Sequence, residues 1–307
     1  MCEKGREGHK MSSSQNVEQP IVDIPVTLEE VFSLQREESV FVAGGTLLQL
    51  NWESGQHKPN HLISSHKLDR LKGITEETLN GENYLRIGSS TLLSACISDI
   101  NIQKRAKIVT EACAKIAAPA VRNRGTIGGN VCSRVGDSIP ALLVLDAKLE
   151  FFNGTSTYII TMTEWLQESQ LAGPPLLLSI LIPCNKSGQS CSFFQKIGRR
   201  ESFTAAIVST AGFMKLRNEI ITDIKLAIGG GAHLPQRLAD GEAYLLNKDW
   251  KKTNWQEFRA LLETSFQSYS DPFITDSYRR KAAANMITAK ILQILKNDKG
   301  GEAKRCI

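Results

Sequence analysis

The chain has 307 residues, of which 41% are hydrophobic and 22% charged, with a formal net charge of +5. That length supports two domains, each with its own core, and the composition is that of an ordinary globular protein. The basic excess is mild and does not interleave with aromatics, which argues against nucleic acid as a partner.

Cys2, Cys96, Cys113, Cys132, Cys184, Cys191 and Cys306 form no C-x-x-C pair, so neither an iron–sulfur cluster nor a structural zinc is expected in this chain. Their scatter suits free thiols in a reducing compartment. His57 and His61 are separated by Pro59, which spoils a shared helical face for a metal. The N-terminal stretch is polar and has no signal-peptide apolar core. The run around Pro174–Pro183 is too short to span a bilayer and reads as a buried strand. A soluble, cytoplasmic protein is the expectation.

In chain order, residues 1–19 read as a disordered tail. Thr27 and Glu30 form a capping-box signature, with Val26 and Val31 placed as a hydrophobic staple, so a helix to about Gln35 follows. Short strands are expected at Val40–Val42, His61–Ser64 and Tyr84–Gly88. Ile108, Ala112 and Ile116 share a face of a helix over about Ile102–Ala118, which Pro119 stops. The run Ile139–Val144 suits a buried helix. Lys148–Phe152 and Tyr158–Ile160 read as a hairpin turned at Asn153-Gly154. Polar residues near Asn185–Gly188 mark a boundary. Beyond it, Phe193–Lys196, Ala205–Leu216 and Ile221–Ile228 are expected as one antiparallel sheet, followed by helices, the last over about Ser277–Leu295. Strands then helices is the α+β pattern. The expected division is a tail (1–19), a domain over 20–186 and an α+β domain over 187–307.

Two glycine-rich stretches stand out: Val42-Ala43-Gly44-Gly45-Thr46-Leu47 and Thr126-Ile127-Gly128-Gly129-Asn130. Glycine permits positive φ and close backbone approach, and consecutive amides form an anion site suited to a diphosphate. Neither stretch is a dinucleotide-binding G-x-G-x-x-G or a Walker A sequence. Asp137, just beyond the second stretch, would accept hydrogen bonds from sugar-like hydroxyls, or would cap the helix that follows. Lys196 and its basic neighbours read, by themselves, as a solvated strand edge. Arg122, Arg124 and Arg134 surround the second stretch, either as charge partners for the diphosphate or as docking residues. No Ser, Cys or Thr nucleophile pairs visibly with a histidine, so a cofactor is expected to carry the chemistry.

The stretches AGGT and RNRGTIGGN resemble the two flavin-binding loops of the FAD subunits of molybdenum hydroxylases, and the resemblance covers most of the chain. Leu47 departs from the family pattern, which has a polar residue there. The spacer from Asn130 to Asp137 is about two residues shorter than usual. The resemblance implies a two-part N-terminal FAD-binding domain and a C-terminal antiparallel sheet with helices. It assigns to FAD the residues Val42, Ala43, Gly44, Gly45, Thr46, Leu47, Thr126, Ile127, Gly128, Gly129, Asn130, Cys132 and Asp137. It also places Lys196 near the isoalloxazine and leaves the turn Gly229–Arg237 structural. It implies an oxidoreductase subunit of xanthine dehydrogenase type, taking electrons from a two-cluster iron–sulfur subunit beside a molybdenum-cofactor subunit and passing them to NAD or another acceptor. A stand-alone FAD oxidase and a flavin-less nucleotide-binding assembly module are the alternatives.

Overall fold

The computed structural model describes residues 19–168, 175–184, 190–200 and 205–297. The expected tail (1–19) and the boundary near 185–188 lie, but for residue 19, outside them. Twelve strands among the described residues build three sheets.

The first sheet is parallel, in the order β1 (Ile21–Asp23), β3 (His61–Ser64), β2 (Val40–Val42). Parallel neighbours need crossovers, and helices Leu28–Leu34 and Thr46–Glu53 supply them. The second sheet is antiparallel, ordered β4 (Ile74–Leu79), β5 (Glu82–Gly88), β8 (Leu176–Pro183), β6 (Lys148–Phe152), β7 (Thr157–Thr161). Seven of the eight residues of β8 are buried, as expected of a central strand covered on both faces. The third sheet is the expected antiparallel one, formed by β9 (Ser190–Gly198), β10 (Ala206–Arg217), β11 (Ile220–Gly229) and the short β12 (Gln236–Arg237). Helices Ala239–Leu245, Trp255–Thr264 and Asp276–Asn297 follow it.

Helix Ile139–Val144 is buried at all six positions and lies against β10 and β11. Burying a large aliphatic side chain contributes about 1.5–3 kcal/mol, so this helix is a strong anchor between the two halves. The largest core accordingly runs across the junction, joining Ile139, Leu142 and Leu143 to Phe194, Ala211 and Phe213 of the third sheet. Acid–base pairs bracket the helix. Asp137 meets Lys196 before it, and Asp146 meets Lys225 and Arg237 after it. Arg237 also grips Glu242 through two nitrogens, at 2.6 and 2.8 Å, which fastens the end of the Gly229–Arg237 turn.

Several local expectations are corrected. The helix over Ile102–Ala118 is two helices, Ile100–Arg105 and Lys107–Ala114, broken at Ala106. Pro119 starts a short helix, Pro119–Arg122, because a first-turn proline forfeits no hydrogen bond. The Lys148–Phe152 hairpin turns through four residues, since Phe152 pairs with Thr157 and Asn153 Oδ1 accepts from the amides of Thr155 and Ser156. Thr27 does cap its helix, but Glu30 reaches the amide of Val26, and Val26 is exposed and closes no staple. The complete capping box lies at Thr161 and Glu164.

Candidate functional site

Strand β2 ends at Val42, whose carbonyl accepts from the amide of Ser65, and the chain then turns into helix Thr46–Glu53. Gly45 makes that turn with φ of 69°, a left-handed conformation that favours glycine. Among the described residues nothing accepts from the amides of Gly45, Thr46, Leu47 or Leu48. These open N–H groups at a helix N-terminus, with the positive end of the helix dipole behind them, suit an anion. Ala43 and Leu47 are exposed beside them.

The second stretch is built differently. Four of its five amides are taken: Ile127 donates to Thr91, Gly128 to Ser89, Gly129 to the Thr126 hydroxyl, and Asn130 to the Thr126 carbonyl. Gly128 serves close packing, since a Cβ there would lie 2.5 Å from the Ser89 carbonyl oxygen. The two stretches also abut. A Cβ on Gly44 would lie 1.9 Å from the carbonyl oxygen of Arg124. Gly129, by contrast, is exposed and would meet only the Thr126 hydroxyl, at 3.1 Å. So one loop offers amides, and the other shapes and braces it.

Asn130 carries the construction onward. Its Oδ1 accepts from the amide of Ser138 at 3.1 Å and from the Ser138 hydroxyl at 2.6 Å, which closes the turn that presents Asp137. Asp137 is not a helix cap: its Oδ2 lies 2.7 Å from Lys196 Nζ. Lys196 also donates to the carbonyl of Lys115 at 3.0 Å, the C-cap of helix Lys107–Ala114. Burial pushes the Asp137 carboxyl above its usual range, and the adjacent Lys196 ammonium partly offsets that. The structure thus brings Gly44 against Arg124 beside the second stretch, and links Asn130 through Ser138 to the turn of Asp137 and Lys196; Ile127 is fully buried in the core, while Cys132 is exposed at the end of helix Ile127–Cys132.

The three arginines separate on sight. Arg122 donates to the carbonyls of Ile116 and Ala117, and Arg134 donates to those of Leu166 and Glu168 while stacking on Trp165. Both are braces. Arg124 is exposed at the seam.

A Ser–His–Asp chain does exist, although sequence reading finds no such pair. His61 Nδ1 lies 2.7 Å from Ser39 Oγ, and its Nε2 lies 2.7 Å from Asp23 Oδ2. Ser39 is 8% exposed, and its oxygen already accepts from the amide of Arg36. The chain of bonds therefore ties β1 to β3 and serves the fold. A separate cavity of about 370 Å³, lined by Arg199, Tyr269, Asp271 and Arg279, shares no residue with the glycine loops. Arg279 there is a corner post, bonded to the Ile207 carbonyl and Asp271 and stacked on Tyr269.

Residues 17–185 match the FAD binding domain in molybdopterin dehydrogenase, and residues 192–294 match the CO dehydrogenase flavoprotein C-terminal domain. The chain belongs to the FAD-binding subunits of the molybdenum hydroxylases. It is 27% identical over 250 residues to the xanthine dehydrogenase FAD-binding subunit of Escherichia coli O157:H7, covering 78% of this chain and 83% of that one. It is 29% identical over 225 residues to the carbon monoxide dehydrogenase medium chain of Hydrogenophaga pseudoflava, covering 70% and 75%. Its fold superposes on a chain of the reconstituted CO dehydrogenase from Oligotropha carboxidovorans with a TM-score of 0.81, at 22% identity, covering 91% of this chain and 98% of that one. FAD is the cofactor of this family, and the open amides and the Asp137 carboxylate are a donor and acceptor set that fits it. No helix among the described residues is long and apolar enough to cross a membrane.

Proposed function

We propose that this chain is the electron-exit subunit of a molybdenum hydroxylase complex of xanthine dehydrogenase type, acting in the cytoplasm. The observation that carries the reading is the seam itself. Open amides at Gly45–Leu48 lie on one loop, and Asp137 is presented from the other through Asn130 and Ser138. The amide row would hold the diphosphate of FAD, and Asp137 would accept from the hydroxyls of its ribityl or ribose chain. Gly44 and Gly128 would keep the loops close enough for both grips, and the exposed Gly129 would leave room for the cofactor.

Bound FAD supplies the redox chemistry, exchanging electrons between one-electron clusters and a two-electron acceptor such as NAD. The residues of this chain bind and orient it. The scattered cysteines support placing the clusters on an iron–sulfur partner and the hydroxylated substrate on a molybdenum-cofactor partner. The division at 186/187 belongs to the same reading, supported by family matches that end at 185 and resume at 192.

The test is to purify the chain, record its visible spectrum and identify the flavin released on denaturation. FAD is expected, and Gly129→Val is expected to fold normally but lose it. A colourless protein that FAD fails to reconstitute, alone or with its partner subunits, would sink the reading.

A further inference from the structure

The Lys196 ammonium is held from two sides. It has three N–H donors, of which one meets Asp137 Oδ2 at 2.7 Å and another the Lys115 carbonyl at 3.0 Å, and the side chain is 7% exposed. The second partner is the last carbonyl region of a helix, where a cation is favoured by the helix dipole. Three elements therefore pin this ammonium: β9, helix Lys107–Ala114 and the turn before helix Ile139–Val144. Asp137 is left asymmetric. Its Oδ2 is held by Lys196, whereas its Oδ1 accepts from nothing among the described residues, and the side chain keeps 14% exposure.

We infer that Lys196 is a positioning residue that acts through Asp137, holding Oδ2 so that Oδ1 stands as an anionic acceptor for a hydroxyl of the cofactor's sugar-alcohol chain. The inference rests on the proposed reading that FAD occupies this seam.

The electrostatics agree. Burial disfavours the charged carboxylate, and Lys196 is the charged group that offsets it. The other neighbours on this side, the Asn130 amide, Ser138 and the Lys115 carbonyl, are neutral. Removing the ammonium would raise the carboxyl further, so Asp137 would take up a proton at a higher pH. Binding that needs the anion then weakens as pH falls.

The test is FAD titration of the apoprotein by flavin fluorescence across a pH series. Lys196→Arg should follow the wild type. Lys196→Met and Lys196→Gln should lose affinity about tenfold per pH unit once below the raised carboxyl pKa, while matching the wild type more closely at alkaline pH. Asp137→Asn should bind weakly with no such slope, and adding Lys196→Met to it should change nothing more. Thermal melts of each variant separate weak binding from misfolding. A pH-independent loss in Lys196→Met, or a further loss when it is added to Asp137→Asn, would overturn the inference and return Lys196 to the flavin ring. A folded wild-type apoprotein with no affinity for FAD would overturn both this inference and the reading beneath it.

Discussion

Gly44 presses against the backbone of Arg124, leaving no room for even one methyl group between the two glycine loops: a Cβ there would sit 1.9 Å from the carbonyl oxygen. This contact joins segments that are remote in sequence and sets how closely the two loops approach.

Gly44→Ala is therefore expected to force the loops apart. Overpacking of this kind costs about 1–3 kcal/mol, and the same displacement should lower flavin content. Gly129→Ala is the matched control for stability, because its Cβ meets only a side-chain hydroxyl; it should change stability by less than about 1 kcal/mol. Denaturant titration of the two variants checks this, and equal destabilisation would show that the seam does not depend on the Gly44–Arg124 contact.

The Asp23–His61–Ser39 chain should matter to folding and not to flavin chemistry. A proton on His61 Nε2 lets that ring donate to Asp23 and accept from the Ser39 hydroxyl, whose oxygen in turn accepts from the Arg36 amide. His61→Phe should cost about 1–3 kcal/mol by leaving both partners unsatisfied. Ser39→Ala should keep full FAD content and electron transfer to dyes. A loss of electron transfer in a folded, FAD-replete Ser39→Ala protein would contradict a purely structural role.

Acid should loosen the corner before the last helix. The amide of Phe273, with further help from the Ile274 amide and Arg279, holds the Asp271 carboxyl below its usual 3.8. A depressed folded value means that the stabilisation is present above about pH 4 and is lost as pH falls through the lower folded value. Asp271→Asn should thus be less stable than the wild type near neutrality, and the difference should vanish in acid. A difference that persists unchanged however far the pH is lowered would assign the effect to something other than this carboxylate.

Much of the architecture was legible from local pattern. β10 and β11 fall within one residue of their expected limits, and Ile139–Val144 is the buried helix its unbroken apolar run implies. These elements declare themselves because alternation and apolar runs are properties of neighbouring residues. β4 went unseen because four of its six residues are polar and it sits at a sheet edge. The glycine stretches were visible as motifs, but their division of labour was not. Only Gly45 of the four seam glycines uses positive φ, whereas Gly44 and Gly128 are required by backbone that arrives from elsewhere.

By itself, then, the sequence determined the element types, the family and the place of the two loops, since these rest on residue types and short spacings. Only the tertiary structure decided which loop keeps free amides, that Lys196 spends its charge on Asp137, and that Ser39, His61 and Asp23 meet. Those facts depend on approach between segments far apart in the chain, and a hydrogen bond or steric contact exists only once packing has brought its two partners within reach.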